Sequence, residues 1–323
     1  MNLTRIFSIL AFSMILVLTF GLTLGCSGGR PIPVDQSLQQ DQINSQLKTH
    51  INTQLSPKLL KALKASDIIL LGETHDHPHH HSVQAEIIRL IKPKSIAFEM
   101  LNEGQEKAIK ELSTTPSKNW DQLLAWSQRG WPNFKLYQQV FRSSLKHTQF
   151  ILPAHPHPHI LHPLKLGMEL DQALQTKLKL DHPLAPKQAE ALQQEIIQAH
   201  CGHASPVLVK AMMSAQRLKD AWMAQVLIQA PKPVVLIVGR GHIQPKRGIP
   251  WAINLLAPQN NFKIFSLAMS PNQKDPMLQQ TLQQTQGNLE QAQFSIPAHR
   301  NDDPCERFKE QLKGLKKVPH HKH

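Results

Sequence analysis

Residues 68–84 read IILLGETHDHPHHHSVQ, an apolar run that stops at Gly72-Glu73-Thr74-His75 and passes straight into a histidine-rich helix start. Residues 234–242, VVLIVGRGH, repeat the design and end in Gly239-Arg240-Gly241-His242. Four or five consecutive branched apolar residues suit a strand covered on both faces, as in a parallel sheet. Open α/β sheets bind ligands at the carboxyl ends of such strands, so the two corners predict that His75 and His242 face one crevice. One Gly-x-x-His alone reads as a loop cap. Two copies, with Glu73 in the first, point to a site.

Working outward, periodicity predicts strands at 67–71, 95–99, 149–153, 234–238 and 262–267, and an amphipathic helix at 79–91. Parallel strands joined by a helix place their carboxyl ends together, so Glu99 is expected at the same edge as Glu73 and His75. Residues 120–147 show helical spacing interrupted by Gly130-Trp131-Pro132, and residues 160–230 read as a long helical insertion. The alternating prolines and histidines of 155–159 predict an extended loop. Beyond Ser270 the chain is Gln-rich and then polar, which predicts a disordered tail ending in the basic, His-rich stretch 306–323. The expected class is an α/β domain over 57–305, a mostly parallel sheet flanked by helices with an inserted helical subdomain.

The first residues set the compartment. Arg5 precedes an uncharged apolar run that ends in Leu24-Gly25-Cys26-Ser27, the pattern of a bacterial lipoprotein signal over 1–25 with lipid on Cys26. A transmembrane anchor is the weaker reading, because the run is only just long enough to span a bilayer. Residues 26–56 are polar and Gln-rich, as a lipidated tether would be. The formal net charge of +13 favours anionic partners. A single tyrosine and the lack of interleaved basic and aromatic residues argue against nucleic acid. Nineteen histidines add a metal-seeking or pH-sensitive component. With Cys26 assigned to lipid, Cys201 and Cys305 are left either to form a disulfide or to stay as two buried thiols.

Several of these motifs taken together resemble one family. Leu70 to Asp76, His80, His81 and Gln84, Phe98 to Leu101, Gly130-Trp131-Pro132 with Tyr137, Ala215-Gln216-Arg217 with Asp220, Gly239 to His242 with Gly248-Ile249-Pro250, and Asp303-Pro304-Cys305 resemble the ChaN-type haem-binding uptake lipoproteins. The match departs where the family usually has an asparagine after its third strand, since this chain has Pro153-Ala154-His155-Pro156. The resemblance implies haem as cofactor and a place on the periplasmic face of the bacterial outer membrane, with an outer-membrane haem receptor as partner. Tyr137 is the candidate iron ligand, a hard phenolate suited to ferric iron. His75, His79, His80, His81 and His242 are candidates for iron or propionate, and Arg240 for propionate. One subunit offers few aromatic surfaces for a porphyrin, which predicts a homodimer sharing the haem. On this reading the protein is a binder rather than an enzyme.

The wider superfamily resembles the Tiki metalloproteases and the erythromycin esterases, and implies an alternative. Glu73, His75, Glu99 and His242 are the residues to hold a divalent metal, or a water poised between carboxylate and imidazole, in a hydrolase. No nucleophile elbow and no His-Glu-x-x-His helix accompany them. A third reading is a metal-buffering scaffold built on the histidines of 75–81 and 155–162. Arg217 and Asp220, three apart on one helix, read as a structural salt bridge, and His200 with His203 as a helix-end pair.

Overall fold

A computed structural model describes residues 53–165, 168–270, 289–296 and 302–313, with 45, 49, 51, 298 and 300 besides. The predicted signal, Cys26, most of the tether and residues 314–323 lie outside the described residues.

The chain builds β1 (Ile68–Glu73), α1 (Pro78–Ile91), β2 (Ser95–Asn102), α2 (Gln138–His147), β3 (Phe150–His155), α3 (Pro158–Lys165), α4 (Pro186–Ala199), α5 (Pro206–Gln229), β4 (Val234–Gly239), α6 (Ile249–Leu256), β5 (Ile264–Ser270) and β6 (Leu289–Ser295). The strands form one parallel sheet in the order β3-β2-β4-β1-β5-β6. Every residue of β1, β2, β4 and β5 is buried, which is why these segments read as nearly unbroken apolar runs.

Because side chains alternate along a strand, the sheet has two cores. On one face Ile69, Leu71, Phe98 and Ile237 pack against Val83, Ile87 and Ile88 of α1 and Val140 and Phe141 of α2. On the other, Ile68, Leu70, Leu236 and Val238 pack against Met223, Ala224 and Leu227 of α5 and Ile249 and Ile253 of α6. Helix α5 starts at a Ser205 cap, whose side chain accepts from the Leu208 amide, followed by proline at the first helical position.

Two expectations are corrected. Residues 289–295 form a sixth strand paired along its length with β5; only Leu289 and Phe294 need burial, so a Gln-rich sequence suffices at this edge. The 155–159 segment is not an extended loop throughout: His155 ends β3, and Pro158 opens α3, where a proline at the helix start costs no hydrogen bond. Residues 160–229 are divided among four helices, Gln172–Lys177 included.

Cys201, in the turn after α4, is disulfide-bonded to Cys305. Nearby, Arg300 and Arg307 lie 3.5 and 3.8 Å from the Asp76 carboxylate, just beyond β1. Among the described residues no helix is long and apolar enough to cross a membrane.

Phe98 and Phe141 stack with ring centroids 4.5 Å apart, both fully buried. Truncating Phe141 to Ala is expected to cost about 3–5 kcal/mol in urea unfolding; a loss below about 1 kcal/mol would mean that α2 is not anchored through this ring.

Candidate active site

Glu73 is the last residue of β1 and pairs with Gly239, the last of β4, while β2 lies on the other side of β4. Glu99, three residues before the end of β2, follows Phe98, which pairs with Ile237 of β4, so Glu73, His75, Glu99 and His242 come together at this corner. His75 Nδ1 is 2.8 Å from Glu73 Oε1, and its Nε2 is 3.6 Å from Glu99 Oε2. His242 Nε2 is 3.2 Å from Glu99 Oε1, and its Nδ1 is 2.6 Å from Asp220 Oδ1. The result is a continuous file, Glu73, His75, Glu99, His242, Asp220. Its members are buried except His75, whose side chain is 30% exposed and forms the opening to solvent.

The corner is held by the residues around it. Glu73 accepts hydrogen bonds from the Tyr137 hydroxyl and the Gln84 amide. His81 Nε2 lies 3.1 Å from the His75 carbonyl and its Nδ1 3.2 Å from Glu73 Oε2. The Thr74 amide donates to His80 Nδ1 at 2.9 Å. Tyr137, His80 and His81 are fully buried. For Tyr137 to ligate iron, its hydroxyl must first leave Glu73. His75, His79 and Arg240 are partly exposed.

Electrostatics fix the protonation pattern. Burial alone would raise the Glu99 carboxyl, but His242 and His75 hold it well below the usual carboxylate range. Glu73 is likewise lowered by His81 and His75 against the cost of burial. Burial opposes charging of His242, yet Glu99 and Asp220 push it up to about 9, so both of its ring nitrogens carry protons at neutral pH. For His75 the hydrogen bond to Glu73 and the field of Glu99 outweigh burial and raise it above 6.5. Burial and the Glu73 charge push the Tyr137 phenol well above its ordinary value.

Glycine makes the geometry feasible. A Cβ at Gly239 would stand 3.0 Å from His75 Nε2 and 3.5 Å from Glu99 Oε2, in the space where these two groups approach. At Gly72 it would stand 2.6 Å from Ile243, the residue after His242.

The expected pairing of Asp220 with Arg217 is corrected. Arg217 bonds the carbonyl of His182 and lies over the Trp251 ring, while Asp220 turns inward to His242. The signal was present: Asp220 falls among the buried Leu218, Ala221, Met223 and Ala224 of α5, and an acid in an apolar stripe requires a partner. Gln216, one turn earlier, lies 3.0 Å from His242 Nδ1.

Fold and site together define a parallel α/β protein with a buried carboxylate and imidazole file at its strand ends. Residues 59–253 match the family model described as haem-binding uptake, Tiki superfamily, ChaN, and the chain belongs to this family. Among solved structures it is similar to one described as cofacial heme binding to ChaN of Campylobacter jejuni, with 23% identity, a TM-score of 0.52, and coverage of 68% of this chain and 87% of that one. It is also similar to the type III effector HopBA1, with 12% identity, a TM-score of 0.39 and coverage of 67% and 83%. A mutant erythromycin esterase in its open conformation shows 14% identity, a TM-score of 0.37 and coverage of 68% and 76%. No curated protein matches the chain in sequence.

The expectation of a binder rather than an enzyme is corrected by the buried Glu99, His242 and Asp220, which back a partly exposed imidazole and so make an acid–base arrangement.

His242, raised from 6.5 to about 9 on folding, contributes stability that is complete below 6.5 and lost as pH rises through about 9. Unfolding free energy measured across that window is expected to fall with pH. In Asp220→Asn, which removes one anionic partner, the fall should move to lower pH; an unmoved profile would dissociate it from this file.

Proposed function

We propose that the cleft hydrolyses an ester or related acyl bond by metal-free general-base catalysis, with His75 as the base. One observation carries the reading: the Nδ1 of His75 is fixed on the Glu73 carboxylate at 2.8 Å while its ring opens to solvent. A carboxylate that accepts the Nδ1 proton leaves the Nε2 lone pair free and stabilises the imidazolium that forms. Nε2 takes a proton from water, the resulting hydroxide adds to the acyl carbon, and the same proton passes to the departing oxygen. The 3.6 Å between Nε2 and Glu99 Oε2 leaves both as acceptors for one water. Tyr137, Gln84 and His81 orient Glu73, and His242 with Asp220 orients Glu99.

The donors do not suit a divalent ion. Among the described residues no group of three or more His, Cys, Asp or Glu is arranged to hold one, and the Nδ1 of His75 and both ring nitrogens of His242 already face carboxylates.

With p-nitrophenyl esters in the presence of a chelator, turnover is expected, and His75→Ala or Glu73→Gln should lower kcat/KM about a hundredfold or more. The rate should rise with pH as His75 loses its proton above 6.5, then fall near 9 as His242 loses the proton that lets it donate to both carboxylates. Turnover that survives His75→Ala, or that needs added metal, overturns the proposal.

Haem binding is the second reading, and family membership favours it. The partly exposed His75 and His79 are the imidazoles for iron and Arg240 the cation for a propionate; Tyr137 serves only by exchanging Glu73 for the metal. The finer picture is a lipid-anchored envelope protein held through Cys26, dimeric when loaded and exchanging haem with an outer-membrane receptor. A haemin titration gives a saturable Soret shift on this reading, and Tyr137→Phe separates the two ligand choices.

A further inference from the structure

A cavity of about 330 Å³ lies between the end of β3 and helices α3, α4 and α5. That is within the roughly 300–1,000 Å³ of small-molecule sites. Leu161, Leu164, Ile196 and Met212 give it apolar walls. Gln216, which also lines it, sits 3.0 Å from His242 Nδ1, so the cavity abuts the catalytic file. His155, another lining residue, has its ring 6.5 Å from that of Trp131, which lies 5.2 Å from the ring of His75. A larger cavity of about 480 Å³ in the same subdomain has, among the described residues, no lining residue hydrogen-bonded to the file.

The lining includes a lysine. Lys219 lines the cavity and its field reaches Glu99, Asp220 and His155. Burial, aided by Lys219, lowers His155 to about 4, so this imidazole is neutral at neutral pH. A chamber with apolar walls and an ammonium among its lining residues suits a molecule with an apolar tail and a head that becomes negative.

We infer that this cavity is the acyl pocket of the proposed hydrolytic site: it takes the apolar tail of a medium-length acyl ester, and Lys219 takes the charge that develops on the scissile carbonyl and rests on the carboxylate product. The inference depends on the hydrolytic reading for its reaction, whereas occupancy of the pocket by an apolar carboxylate is measurable without turnover. Polar acyl groups gain less from the apolar walls, and acetyl esters leave them empty.

Calorimetric titration of octanoate and of the neutral octanamide into the protein tests it, alongside hydrolysis of p-nitrophenyl octanoate and acetate. Octanoate should bind in one-to-one ratio and more tightly than octanamide. Lys219→Met should weaken octanoate about tenfold and leave octanamide unchanged. Ala215→Trp, which fills the chamber, should abolish binding of both and erase the preference for octanoyl over acetyl esters. Should that variant melt early, Met212→Ala provides the second test by shifting preference from octanoyl toward decanoyl esters. Equal binding of octanoate and octanamide, or octanoate binding unchanged in a folded Ala215→Trp, overturns the inference. Octanoate binding that responds to both variants without ester turnover supports the pocket and sinks the hydrolytic reading instead.

Discussion

His242 presents both ring nitrogens to buried carboxylates, at 3.2 Å to Glu99 and 2.6 Å to Asp220. Withdrawing a carboxylate from water costs several kcal/mol, and removing one partner of a buried pair leaves that cost uncompensated. Glu73, Glu99 and Asp220 are all buried, so the arrangement exists only because imidazoles lie between them and because Tyr137, Gln84 and the Gly239 amide donate to the remaining lone pairs. The file is therefore a constraint on the fold as much as a site within it.

That constraint explains the order of the strands. β4 sits between β1 and β2, so the Gly239 corner falls between Glu73 and Glu99 and its amide reaches Glu99 Oε2 at 2.8 Å. It also explains the helical insertion. Asp220 comes from the middle of α5, whose apolar face packs on the sheet through Met223, Ala224 and Leu227. Glu195 of α4 pairs with Arg247 beyond the second corner and would meet a Cβ at Gly241 at 2.9 Å. The insertion thus supplies counter-charge and packing to the site.

Much of this was legible in the sequence. Buried parallel strands are written as continuous apolar runs, so β1, β2, β4 and β5 could be placed to within a few residues, and the two Gly-x-x-His corners marked the edge where they end. The partners of a charge are another matter, because they are set by tertiary approach. Asp220 looked satisfied by Arg217 three residues away, and only the packing of α5 on the sheet turns it to His242. Likewise, nothing local reveals that the Tyr137 hydroxyl lies against Glu73, sixty-four residues earlier. β6 leaves little trace in the sequence because an edge strand pairs through its backbone and needs few apolar side chains to hold it.

The bond between Cys201 and Cys305 spans 104 residues of sequence and encloses β4, β5 and β6 within one covalent ring. Half of the sheet is thereby stitched to the turn after α4 by something other than packing. A protease that severs the backbone anywhere inside that ring yields two pieces which remain a single molecule, and which part company only once a reductant has reached the sulfurs.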